Sequence, residues 1–277
     1  MRALFVTAVL FISQSLFAQY YYKDIIGTKE SSGLVQSYIT NKVNRVVLTS
    51  YDADNTKSDN FFVEQTFSPA RHTLTTITRT DDGNTSTLIS YVDANGNVVK
   101  TVDSSDAVVS QTTYNYNSAG QLLSLITASA DSNTTNESEQ HIWEYQTNKP
   151  VRMLRIKNKI DTTFVNFKQD EKGNISEESE TRRGVTTQPV YYYYNSNNQL
   201  TDIVRYSNRA KRLLPEYMFE YSSTGQVIQK ITVPENSSDY LIWRYQFDTR
   251  GLKTKEVIYN KQKQVTGKVE YQYSFGV

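Results

Sequence analysis

Residues 243–247 read Trp-Arg-Tyr-Gln-Phe, with rings at odd positions and polar side chains between them. Val269, Tyr271 and Tyr273 repeat the alternation, with Glu270 and Gln272 opposite. A period of two is the signature of a strand with one buried face. After each such run comes Gly or Asn, which permits the positive φ of a tight turn. A second strand follows, as at 121–128 or 226–233, and then a polar connection such as 131–138. The pattern predicts β-hairpins and no long helix.

The same phrase returns along the chain. YNYNSAGQLL at 114–123 is echoed by YYYNSNNQLT at 192–201 and FEYSSTGQVI at 219–228. Aligned on an aromatic residue with a turn residue about four positions later, the anchors are Tyr38, Phe67, Tyr91, Tyr116, Tyr145, Phe167, Tyr194, Tyr221, Phe247 and Tyr273. Their spacing averages about 26 residues, within the range of repeat architectures. One hairpin is marginal in water. Hairpins set side by side pair their inner edges and join their aromatic faces into one seam. The expected fold is all-β: repeated antiparallel β-hairpins forming one long curved or rolled sheet, because open twisted sheets beyond about ten strands curl or close.

Composition sharpens this picture. The 277 residues include 21 Tyr, 11 Phe and 2 Trp, and no Cys. Tyr, Thr and Val favour strands; Asn, Asp, Ser and Gly favour turns. Without Cys there are neither disulfides nor thiolate metal sites. Residues 1–18 carry Arg2, an apolar run from Ala3 to Ile12, and Ser-Leu-Phe-Ala. That run is too short to span a bilayer as a helix and matches a secretory signal. Cleavage is expected after Ala18, leaving one β-hairpin repeat domain over 19–277. Without Arg2 the mature chain has 29 basic and 29 acidic residues, which argues against general affinity for nucleic acid or anionic membranes. The expected location is outside the cytoplasm: periplasm, cell surface or medium.

Phe247-Asp248-Thr249-Arg250-Gly251-Leu252 and Tyr116-Asn117-Ser118-Ala119-Gly120-Gln121-Leu122 resemble the YD-repeat, or RHS-repeat, family of secreted bacterial proteins. Most copies here lack the family's Asp, and the connecting loops are irregular. The resemblance implies strands wound into an extended β-sheet shell, sometimes carbohydrate binding, and no catalytic residues.

Candidate chemistry is sparse. His72 and His141 lie 69 residues apart in different repeats, a poor basis for a triad or zinc site. Asp52–Asn55, Asp81–Asn84 and Asp93–Asn97 are oxygen-rich, but hairpin turns prefer the same residues. No cofactor or metal is expected. Glu177, Glu178 and Glu180 are the densest acidic group and suit a solvated strand face. A hydrolase acting on envelope polymers through paired carboxylates and an outer-membrane barrel are alternatives. Against the barrel, charges fall on both faces at 152–157, 176–180 and 253–256. The main expectation is a non-enzymatic binding or scaffolding surface for an envelope protein or polysaccharide. Tyr22, Tyr192 and Tyr194 are its candidate outward contact rings.

Overall fold

The computed structural model describes residues 19–58, 61–80, 83–105, 108–131, 137–234 and 237–276. The expected signal segment and its preferred cleavage residue Ala18 lie outside the described residues.

A short π-helical turn, Tyr21–Ile26, runs into α1, Gly27–Thr40. Among the described residues nineteen strands follow. The first nine are β1 (Val43–Asp52), β2 (Phe62–Ser68), β3 (Thr73–Arg79), β4 (Thr85–Val92), β5 (Val98–Ser105), β6 (Val108–Tyr116), β7 (Leu122–Asp131), β8 (Glu137–Gln146) and β9 (Lys149–Lys157). Then come β10 (Asp161–Gln169), β11 (Ile175–Arg182), β12 (Val185–Thr186), β13 (Val190–Tyr194), β14 (Leu200–Ser207) and β15 (Arg212–Tyr221). The last are β16 (Val227–Thr232), β17 (Leu241–Phe247), β18 (Lys253–Tyr259) and β19 (Val265–Phe275).

Each strand pairs antiparallel with the next, and the two-residue β12 is bypassed by a direct β11–β13 pairing. The last strand then returns to the first: Val46 lies opposite Tyr273 and Leu48 opposite Tyr271. Eighteen staves therefore close into an up-and-down barrel. All-β hairpin repeats are what the sequence pattern predicts. The rolled sheet goes further than that and closes, which leaves neither a first nor a last edge unpaired.

The turn grammar has a clear physical basis. At Asn117, Asn195, Asp248 and Asn260 the side-chain oxygen accepts the N–H groups two and four residues on, at 2.9–3.0 Å. The fourth residue of the turn is left-handed: Gly96, Gly120, Gly173, Gly225 and Gly251 have φ of +76 to +86°, and Asn198 fills the same place at 58°. Before most of these turns a bulge resets the register, as at Asn115/Tyr116 and Gln246/Phe247. The turns with glycine or Asn198 in fourth place all frame one mouth of the barrel, and the Asn260 turn, between β18 and β19, lies at the other.

The anchor rings point inward and link neighbouring repeats. The hydroxyls of Tyr116, Tyr145, Tyr194, Tyr221 and Tyr273 donate to the carbonyls of Val98, Leu122, Ile175, Leu200 and Lys253 at 2.7–2.8 Å. Each acceptor stands two residues past the left-handed residue of the preceding turn. Gln169 makes the analogous, longer bond to Pro150 at 3.5 Å. The recurring phrase is thus a ring of ties from one turn to the next.

Three anchors need correction. Tyr38 is not in a strand; it is buried on α1, edge-on to Tyr273. Tyr91 faces outward under the Lys100 ammonium, and Val92, four residues before Gly96, is the buried counterpart. Phe167 is inward, but Gln169 holds the anchor position of its unit.

Candidate functional site

The described N-terminal segment fills the mouth framed by the tight turns. Its first part packs with Trp143, Phe167, Tyr192 and Phe219 from β8, β10, β13 and β15. Its second part, through Val35 and Tyr38, packs with Val43, Val63, Val98 and Val269 from β1, β2, β5 and β19. Contacts around so much of the wall place the helix inside the barrel. Polar bonds fix α1 to the wall: Tyr38 Oη donates to Gln65 at 2.6 Å, and Ser32 Oγ accepts the Val98 N–H at 3.0 Å.

The start of this segment meets a buried ionic network. Glu178 on β11 is 0% exposed. It accepts the N–H groups of Tyr20 and Tyr21 at 2.9 and 3.0 Å, and the Tyr192 hydroxyl at 2.7 Å. A carboxylate there satisfies otherwise unpaired N–H groups and faces the positive end of the helix dipole. Burial nevertheless raises its pKa to about 7, against those donors. Alongside it, His141 holds Asp24 at 2.7 Å and Glu139 at 2.9 Å, and Arg155 also bonds Glu139. Burial alone lowers the His141 pKa, but the two carboxylates outweigh it and lift the value to about 9. Glu139, pushed up by burial, is brought down to about 2 by His141 and Arg155. With both ring nitrogens on carboxylates, His141 is a structural imidazolium. It has no free nitrogen for catalysis.

The acidic run 177–180 therefore divides between the two faces. Glu177 points out and pairs with Lys168 at 2.8 Å, whereas Glu178 is inside. The run looks like a solvated strand face, but it contains a fully desolvated carboxylate. No local sequence signal marks it.

Tyr22 and Tyr192 are inside as well, at 6% and 3% exposure, and Tyr194 is half-buried with its hydroxyl on a carbonyl. The expected outward row is reversed: Tyr191 and Tyr193 face out, opposite Val204 and Asp202. Together with Glu171, Lys172 and Glu177 they line a shallow outer depression of about 470 Å³. The Asp93 carboxylate of the oxygen-rich loops is taken by the Asn95 and Asn97 N–H groups, as a turn requires.

Beyond the helix the inward positions become polar. Hydroxyl pairs Ser110–Ser129 and Thr112–Thr127, each at 2.9 Å, line β6 and β7. Asp103 Oδ1, Arg155 Nε, Trp243 Nε1 and Ser50 Oγ are buried atoms without a hydrogen-bond partner among the described residues. Each sits on an inward position, third from the strand end at the far mouth, on β5, β9, β17 and β1 respectively. Buried polar atoms call for a hydrogen-bonding partner. A level ring of four of them marks a polar seat above the helix.

No known family profile matches the chain, and no curated protein is similar to it. Among solved structures, it is similar to a porin-like protein from Bacteroides uniformis at 12% identity and a TM-score of 0.36, covering 84% of this chain and 97% of that one. It is also similar to chains of a TcdB2–TccC3–Cdc42 complex (14% identity, TM-score 0.34) and of a Photorhabdus luminescens Tc holotoxin pore (13%, 0.35). Each of these two matches covers 78% of this chain and 12% of the other. Scores this low carry nothing about function.

Proposed function

We propose that this is an exported, non-enzymatic barrel of the cell envelope that binds a polysaccharide or an envelope protein at its polar inner seat. The observation that carries the reading is the ring of orphaned polar atoms on Asp103, Arg155, Trp243 and Ser50. Burial raises the Asp103 pKa, as expected for a carboxyl that lacks a partner. Hydroxyls, a carboxyl, a guanidinium and an indole are the groups that grip sugars and polar peptide segments. Nothing in the ring acts as an activated nucleophile. The hydrolase alternative needs two accessible, opposed carboxylates, whereas Glu178 is sealed under the helix.

The test is direct. Mature protein is titrated with envelope polysaccharides and used to capture envelope proteins. D103A with W243F should lose the bound species, while Y191S with Y193S on the outer wall should retain it. Loss in the outer-wall variant alone would move the site to the Tyr191–Tyr193 depression and end the inner-seat reading.

A second reading, an outer-membrane barrel, is favoured by ring closure and by outward apolar ladders such as Ile142–Leu154–Phe164. A lipid-facing wall needs an apolar band about 25 Å tall. Here the ladder's neighbours one step along the strands are the Arg152–Glu144 ion pair and the outward Asn166. Washing membranes with carbonate or urea separates the readings, since a lipid-spanning barrel stays with the pellet.

A further inference from the structure

Basic and acidic residues balance over the mature chain, but the cations are not spread evenly round the far mouth, the one away from α1. Three connections there, β9 to β10, β11 to β13 and β14 to β15, are neighbours along the rim. The first carries Lys157 and Lys159, the second Arg182 and Arg183, and the third Arg209, Lys211 and Arg212. Residues 157–161, 182–189 and 207–213 thus hold seven cations and one carboxylate, Asp161, which accepts Arg182 Nε at 2.9 Å. Glu137 of β8 stands 3.7 Å from Lys157. Glu180 and Glu216, farther down β11 and β15, are turned toward the N-terminal segment inside. Lys159, Arg183, Arg209, Lys211 and Arg212 are all exposed.

The same connections bear the two most exposed large apolar side chains among the described residues, Ile160 at 88% and Val185 at 71%, together with Leu213 at 42%. A single exposed apolar side chain is ordinary; here three coincide with the cations. The backbone points the same way. A left-handed position in a turn is filled with least strain by Gly or Asn. In these three connections it holds Lys159, Arg183 and Lys211, at φ of 61, 50 and 55°. Folding alone would not choose a cation at each.

We propose that this sector of the far rim docks the barrel on an anionic phospholipid surface. Lys and Arg are drawn to the negative face of a bilayer, and guanidinium groups pair with its phosphates. The apolar tips enter the headgroup boundary without crossing the bilayer. A soluble polyanion would use the cations but not Ile160 and Val185. A balanced total charge does not oppose docking, because screening confines each charge to about 8 Å at physiological salt and the sector acts alone. Docked this way, the barrel turns its plugged mouth from the membrane and brings the polar seat toward it. The inference is independent of what that seat binds.

The test floats the mature protein with phosphatidylcholine vesicles, made with or without phosphatidylglycerol. The protein should rise with the anionic vesicles and not with the neutral ones, and high salt should release it. R183Q with R209Q and K211Q should weaken binding about a hundredfold, at about fivefold per cation. I160S with V185S should weaken it by at least about tenfold. K261Q with K263Q, on the same mouth but outside the sector, should leave it nearly unchanged. All three variants should keep the parent melting temperature, since the replaced side chains lie on exposed tips. Equal flotation with neutral vesicles, or binding that high salt fails to release, would overturn the proposal. So would sector variants that bind like the parent, or a K261Q/K263Q variant that loses as much as they do. Capture of dextran sulfate without binding to anionic vesicles would overturn it too, and give the cations to a soluble polyanion.

Discussion

At the residue scale the most informative groups are the buried ionisable ones. His141 has its pKa raised from 6.5 to about 9. Its contribution is therefore complete below about pH 6.5 and is lost as pH rises through about 9. Glu178 is also raised, from 4.5 to about 7, so its share of stability falls as pH climbs between those values. Glu139 works the other way: lowered to about 2, its contribution holds above 4.5 and is lost in strong acid. Melting temperature should fall between about pH 6.5 and 9, by the equivalent of roughly 3 kcal/mol, and H141Q should flatten that limb. Thermal unfolding followed across pH 5–10 checks this; an unchanged slope in H141Q would show that other groups cause it. The tyrosine ties offer a cleaner experiment. Tyr→Phe at 116, 145, 194, 221 or 273 removes one hydroxyl and leaves a carbonyl without its donor, at a cost of about 1 kcal/mol each. The expected loss is about 2–4 °C in Tm per site.

At the scale of elements, the turns and strands were legible and the helix was not. Period-two alternation and the Asn or Asp before Gly predict β6, β7, β17 and β18 because both are local rules. The segment 20–40 carries Gly27, Gly33 and β-branched Ile25, Ile26 and Thr28, all poor helix formers. Its helix is held by packing on surrounding strands, which no local pattern announces. For the same reason Tyr22 reads as an outward contact ring and Tyr38 as a repeat anchor. The site suffered likewise: the tyrosines were visible, but which face points inward depends on bulges such as Tyr193/Tyr194. Removing residues 20–40 should expose the aromatic inner wall, giving strong ANS fluorescence and a broad unfolding transition. At the turns, G120A should cost about 1 kcal/mol from backbone strain alone, since a Cβ there meets nothing within 4 Å. G120N should be milder, because Asn198 already holds the equivalent conformation.

At the scale of the molecule, the inner wall carries the tied and helix-packing rings, and the outer wall carries ion pairs such as Arg45–Glu64 and Arg152–Glu144. Closure has no local signature: it joins β1 to β19, more than 200 positions apart in sequence. The repeats foretell a sheet long enough to curl, but not where its ends meet. Deleting β19 should leave β1 and β18 each with a bare edge, and size-exclusion chromatography should then show larger assemblies than the intact protein forms. The same geometry governs the order of events in a cell. Because β19 is the keystone, no ring exists until that strand has been made and reaches β1. A chain clipped or stalled near its C-terminus is left as an open palisade with two sticky margins, readily seized by chaperones, proteases or its own kind.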